Sequence, residues 1–227
     1  MKKYIWVFLI LLGIIFLLIP ITNDLIIRYN INSRKAVTKE ITPEEIQKNI
    51  SIEAEYDYNS IKDVEILSVI SGSVEFENNS IIGQIVILDL NIDIPILKGV
   101  TNSNLLVGAA TMMPDMEMGK GNYSLAGHKM KNKNLLFGSL MDIKKGTTVK
   151  VTDKKTIYEY EIYSTEVVPD TAFYMLDNER AVERGKPIIS LMTCYYSSNT
   201  NKRFFALGEL IDEYPYNEED LYHVLEE

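Results

Sequence analysis

"IYEYEI", residues 157–162, decides the fold class. Tyr158, Tyr160 and Ile162 alternate with Glu159 and Glu161, the period-two signature of a strand with one face on a core. Working outward, short apolar runs separated by turn signals continue in both directions. They are Val64–Ile70, Gly83–Leu90, Ile92–Leu97, Leu105–Val107, Asn122–Ala126, Thr148–Thr152, Ile157–Val168, Ile188–Thr193 and Phe204–Ile211. So many short strands at this spacing predict an all-β sandwich or barrel. Leu135–Ile143 is expected to form a short helix closed by Gly146. The longest connection, 169–187 (PDTAFYMLDNERAVERGKP), is long enough for a functional loop with a helical turn.

The ends differ from this body. Tyr4 to Ile21 is apolar or nearly so and carries no charge, with Lys2 and Lys3 before it. That length just suffices to span a bilayer as a helix. No small-residue cleavage site follows, so an uncleaved single-pass membrane anchor over 1–24 is expected, with the amino terminus inside. Thr42-Pro43-Glu44-Glu45 combines a cap residue, proline at the first helical position and glutamate three residues after the cap. A short helix over 43–50 follows from it. Residues 25–63 then form a linker containing that helix, with Tyr56 and Tyr58 available to dock onto the body. The body occupies 64–212. The acidic tail, 213–227, is expected to be solvated, with a short helix capped by Asn217.

The 227 residues suffice for one domain with attachments. A net charge of −9, with acidic residues spread along the chain and no Lys/Arg stripe, excludes a nucleic-acid partner.

Cys194 is the only cysteine, at the end of an apolar run in "IISLMTCYY". A lone thiol is inert filler, an intermolecular link or a nucleophile. His128 in "NYSLAGHKM" and Arg203 in "NKRFFALGEL" likewise lie at or just beyond strand-like runs, where a rigid β scaffold assembles sites from distant sequence. Taken singly, each has a bland reading: a buried structural cysteine, a turn histidine, a solvated arginine. Taken together they supply a nucleophilic thiolate, an imidazole proton carrier and a permanently charged guanidinium that can hold an oxyanion. The other histidine, His223, sits in the acidic tail and reads as solvated. No second cysteine or histidine cluster supports a zinc site.

"GKGNYSLAGHKM", "LFGSLMDIKKG", "VVPD…MLD", "SLMTC" and "KRFFALGEL" resemble, in order and spacing, the class A (housekeeping-type) sortases, cysteine transpeptidases of Gram-positive bacteria. The resemblance covers Ile66 to Leu210. It implies a closed eight-stranded β-barrel with short helices, preceded by one N-terminal transmembrane helix. It implies that Cys194 attacks the threonine carbonyl of an LPXTG-type sorting signal on a surface protein, that His128 protonates the leaving amine, and that Arg203 stabilises the oxyanion or orients the peptide. Ala126 and Thr193 match positions lining the peptide groove, and Phe173, Met175 and Leu176 would form an apolar pocket for the Leu-Pro part. The second substrate would be an amine of a peptidoglycan precursor, on the outer side of the cell membrane.

The chain departs from the pattern at Ser190, which begins the "SLMTC" box, and at Asp89, where proline is common. Some members are stimulated by calcium, but here Asp115, Glu117 and Asn178 make a poor oxygen cage. No metal and no cofactor is expected. The alternatives are a cysteine peptidase resolving its thioester with water, a pilus-polymerising relative, and a non-catalytic anchored module.

Overall fold

β-branched and aromatic runs need ladder partners for their backbone groups, and here eight strands provide them by closing on themselves. The computed structural model describes residues 2–61 and 80–223, without the side chains of 2, 3, 15–21, 23 and 24. The expected run Val64–Ile70 lies outside the described residues. The strands are β1 (Ile81–Ile87), β2 (Ile92–Leu97), β3 (Ala109–Thr111), β4 (Asn122–Ala126), β5 (Thr148–Thr152), β6 (Thr156–Pro169), β7 (Ile188–Cys194) and β8 (Lys202–Pro215). Their order around the barrel is β1-β2-β3-β4-β7-β8-β6-β5, with β5 returning to β1. The β2–β3 and β4–β7 pairs are parallel and the others antiparallel.

The alternation at 157–162 holds within β6: Tyr160 and Ile162 are fully buried in the main core with Tyr123, Leu125, Leu191 and Phe137, and Tyr158 packs against it. Its outward face is not simply solvated. Ile157 joins Val86 and Leu221 in a small cluster under Tyr214 and Tyr216, and Glu159 is buried beside it. The tail covers this face, contrary to the expectation of a solvated end. Leu221 is buried, and the Lys150 ammonium donates to the carbonyls of Asp220 (2.8 Å) and His223 (2.7 Å). Lys150 also lies 3.5 Å from Glu159, which accepts from the Tyr214 hydroxyl at 3.0 Å. The expected short helix is a single 3-10 turn, Glu219–Leu221, in which the Asn217 side chain accepts from the Glu219 amide.

Two further runs fold otherwise than expected. Leu105–Val107 is not a strand: a four-residue helix, α3 (Asn102–Leu105), capped by Thr101, takes its place, and β3 begins at Ala109. Leu135–Ile143 contains a 3-10 turn at Leu140–Asp142 and otherwise turns.

At the front, α1 (Lys2–Glu40) is one helix of 39 residues. The expected N-terminal transmembrane helix over 1–24 is corrected here. Among the described residues, no helix is long and apolar enough to cross a membrane. Nor does the helix stop near residue 24. Its later turns pack on the barrel: Ile27 and Ile31 are buried, Lys35 pairs with Asp93, and Lys39 lies 3.3 Å from Glu218. Burying each isoleucine contributes about 1.5–3 kcal/mol, enough to hold the helix continuous up to the barrel.

The short helix α2 (Pro43–Ile50) forms where expected, with a reciprocal capping box between Thr42 and Glu45 (2.8 and 3.2 Å). It docks through buried Ile46 and through Asn49, whose amide donates to the Ile81 carbonyl at 2.8 Å. The long loop, 169–187, carries α4 (Glu179–Arg184), closed by Gly185 at φ +75°.

Candidate active site

Parallel pairing of β4 with β7 sets the register of the site. Ala126 lies opposite Met192, and the ladder's offset of 66 residues (192 − 126 = 66) brings residue 128 level with residue 194. The Gly127 amide still donates to the Met192 carbonyl at 3.0 Å, and the Thr193 hydroxyl donates to the Gly127 carbonyl at 2.8 Å, so the register holds past the end of β4. On the other side, Cys194 pairs directly with Arg203 of β8. Cys194 and Arg203 thus share one row, and the β4–β7 register extended two residues past the end of β4 puts His128 at the same level. His128 and Cys194 are 2% and 1% exposed, whereas Arg203 is half-buried. A buried thiol thus stands on the strand next to that of a guanidinium whose charge never switches off, and a buried imidazole follows the strand on its other side.

A segment from outside the barrel reaches this row. Tyr56 bridges to Val100, the Asp57 amide donates to the Val100 carbonyl (2.8 Å), and the Tyr58 hydroxyl donates to the Met112 carbonyl (2.6 Å). The strap then reaches Ile61, whose side chain is buried in the cluster containing Cys194. Its carbonyl accepts from the Arg203 guanidinium at 3.2 Å and lies 3.9 Å from the Cys194 sulfur. A backbone carbonyl therefore sits between the guanidinium and the thiol. The docking of Tyr56 and Tyr58 was legible from their aromatic character; the carbonyl of Ile61 was not, because any residue carries one.

Beside the row lies a cavity of about 450 Å³ lined by Tyr58, Ile61, Phe173, Leu176, Met192 and Arg203. Phe173 and Leu176 come from a 3-10 turn in the long loop, and Tyr58 meets Phe173 edge to face at 5.7 Å. The other residues expected to contact substrate are held in the surrounding packing. Met175 and Ala126 are fully buried in the second cluster, and Thr193 is buried with its hydroxyl on Gly127.

Sequence reasoning passed over Asn122, which is buried at the start of β4 and hydrogen-bonds the long loop. The available signal was an amide in a strand whose residues are otherwise all buried. Of the residues weighed for calcium, Asp115 is exposed, Glu117 pairs with Lys120 at 2.5 Å, and Asn178 accepts from the Asn122 amide at 2.9 Å.

Residues 85–211 match the Sortase domain family. Sortase A of Listeria monocytogenes is 33% identical over 210 residues, covering 92% of this chain and 91% of the relative. Sortase A of Bacillus anthracis is 35% identical over 156 residues, covering 68% and 70%. The crystal structure of the Listeria monocytogenes sortase A superposes with a TM-score of 0.57 at 37% identity, over 62% of this chain and 93% of that one. The chain belongs to the sortase family, among the class A sortases, and is a cysteine transpeptidase.

Proposed function

We propose that the enzyme cleaves an LPXTG-type sorting signal between threonine and glycine and transfers the acyl part to an amine of a peptidoglycan precursor, outside the cytoplasm. The Cys194 thiolate attacks the threonine carbonyl, and Arg203 donates to the oxyanion of the tetrahedral intermediate. Collapse breaks the C–N bond. His128 gives the leaving glycine its proton, and a thioester to Cys194 remains. The incoming amine then attacks the thioester, losing a proton to His128, and the new amide releases the thiolate. Phe173 and Leu176 receive the apolar Leu-Pro part in the cavity beside the row.

The observation that carries this reading is the Ile61 carbonyl, held by Arg203 at 3.2 Å with the Cys194 sulfur 3.9 Å away. One amide carbonyl is thus within reach of both a fixed positive charge and the proposed nucleophile, the two groups that a substrate carbonyl would have to meet. The test incubates the full chain with an LPXTG peptide, with and without an amine, and follows products by mass spectrometry. An amine-linked product that Cys194→Ala does not make supports transpeptidation by this thiol. Hydrolysis alone in the presence of amine would favour a peptidase, and a folded protein with neither product nor thioacyl adduct would overturn the reading.

A further inference from the structure

Asn122 stands at the first position of β4 with 2% of its surface exposed, and all four hydrogen-bonding positions of its carboxamide are engaged. Its Nδ2 donates to the carbonyls of Met175 (3.0 Å) and Asp177 (3.2 Å). Its Oδ1 accepts from the Ser190 hydroxyl of β7 at 2.7 Å, and the Ser124 hydroxyl lies 3.2 Å away. Its backbone amide donates to Asn178 Oδ1 at 2.9 Å. The neighbouring Gly121, at φ +52°, admits this approach, because a Cβ there would collide with the Asn178 side-chain oxygen. One buried amide therefore ties β4, which leads to His128, and β7, which ends at Cys194, to the turn that carries Phe173 and Leu176.

We propose that Asn122, with Asn178, is a positioning residue for peptide binding: it fixes the Phe173–Leu176 wall at a set distance from the His128–Cys194 row. The inference rests on the reading above that this wall receives the apolar part of the sorting signal. The chemistry of the site demands an amide and nothing else. A carboxylate in its place would have no hydrogens for the carbonyls of Met175 and Asp177 and would set a negative oxygen against both; a methyl group would leave those carbonyls and the Ser190 hydroxyl without their partner. Either change lets the wall drift while leaving the row's own ladder intact.

The test measures peptide KM and kcat separately on the full chain with an LPXTG peptide and a fixed amine, for Asn122→Asp, Asn178→Ala, Asn178→Asp and Phe173→Ala. Asn122→Asp and Asn178→Ala are expected to raise peptide KM, by about tenfold and threefold, with kcat within twofold of the parent. Asn178→Asp keeps an acceptor for the Asn122 amide and retains the parental KM. A merely structural role would lower the folded fraction, and so kcat, with KM unmoved; that result overturns the proposal, as does an unchanged KM in Asn178→Ala. If Asn122→Asp fails to fold, the two Asn178 variants decide. Phe173→Ala separates the two failures. If it too leaves KM unchanged, the reading of the cavity is wrong; if it raises KM while the asparagine variants do not, only the positioning role is lost.

Discussion

Two segments border the same cavity and are held in opposite ways. The strap, Tyr56–Ile61, arrives from outside the barrel and is attached through the Asp57 amide, the Tyr58 hydroxyl and the Arg203 guanidinium. The long loop is tied at both ends. Its start is fixed by the Asp170 amide on the Asn201 carbonyl (3.0 Å) and its middle by buried Asn122. Its far end is held by Arg180 on Glu166 (2.8 Å) and by Arg184 and Lys186 on Glu209. Groups that are buried and mutually satisfied give a fixed wall, because breaking them strands polar atoms away from water. Partly exposed groups exchange their partners for water at small cost. The strap is accordingly expected to yield before the loop does. In the proposed reaction Arg203 exchanges the Ile61 carbonyl for that of the substrate.

The largest expected effect concerns the group both strap and substrate claim. Arg203→Ala should lower kcat/KM for an LPXTG peptide by about 100- to 1,000-fold, the usual cost of losing an oxyanion donor, and Arg203→Lys should restore only a small part. A fall below tenfold would separate the strap's anchor from the chemistry. Tyr58→Ala removes one hydroxyl–carbonyl bond and one edge-to-face ring contact, each worth about 0.5–1.5 kcal/mol. Iodoacetamide should then alkylate Cys194 about tenfold faster, read by intact mass against time; an unchanged rate would mean that the strap does not limit access to the thiol. Hydrogen exchange should distinguish the walls directly, with the Asp57 and Ile61 amides exchanging several-fold faster than those of Asn122 and Met175.

The smallest effect is electrostatic. Hydrogen bonds from Lys186, then Arg184, hold the Glu209 carboxyl below the ordinary carboxylate range. Because its folded-state value is depressed, the stabilisation is present above the unfolded value of about 4.3 and is lost as pH falls through the folded one. Glu209→Gln should therefore flatten the decline in Tm measured between about pH 5 and pH 3, by a degree or two.

How much of this was legible depended on where the information lay. Strands β2, β4 and β5 fell at their expected ends, because compact apolar runs between turn residues leave little choice of boundary. β3 escaped, since Ala109–Thr111 is too short for a period to register, and Thr101 capped a helix in the run before it. The candidate residues His128, Cys194 and Arg203 stood out in the sequence by their chemistry and their place at the ends of strand-like runs. Their covering did not: the strap acts through a main-chain carbonyl, and Asn122 acts through carbonyls of residues more than fifty positions away. The long front helix misled for a different reason. Apolar length alone reads as a span ending near residue 24, whereas the helix's continuation to Glu40, with Ile27 and Ile31 buried on the barrel, is a property of the folded partner.

The tail's grip on Lys150 carries a consequence for any shortening of the chain. The ammonium is buried in the barrel wall, yet two of its acceptors, the carbonyls of Asp220 and His223, belong to a segment that follows β8. Without that segment the lysine faces Glu159 at 3.5 Å and neither carbonyl. An ion pair stripped of its supporting hydrogen bonds is a weak element in an apolar wall. A chain cut after Pro215 would keep every described strand and still be less stable than one that retains the tail.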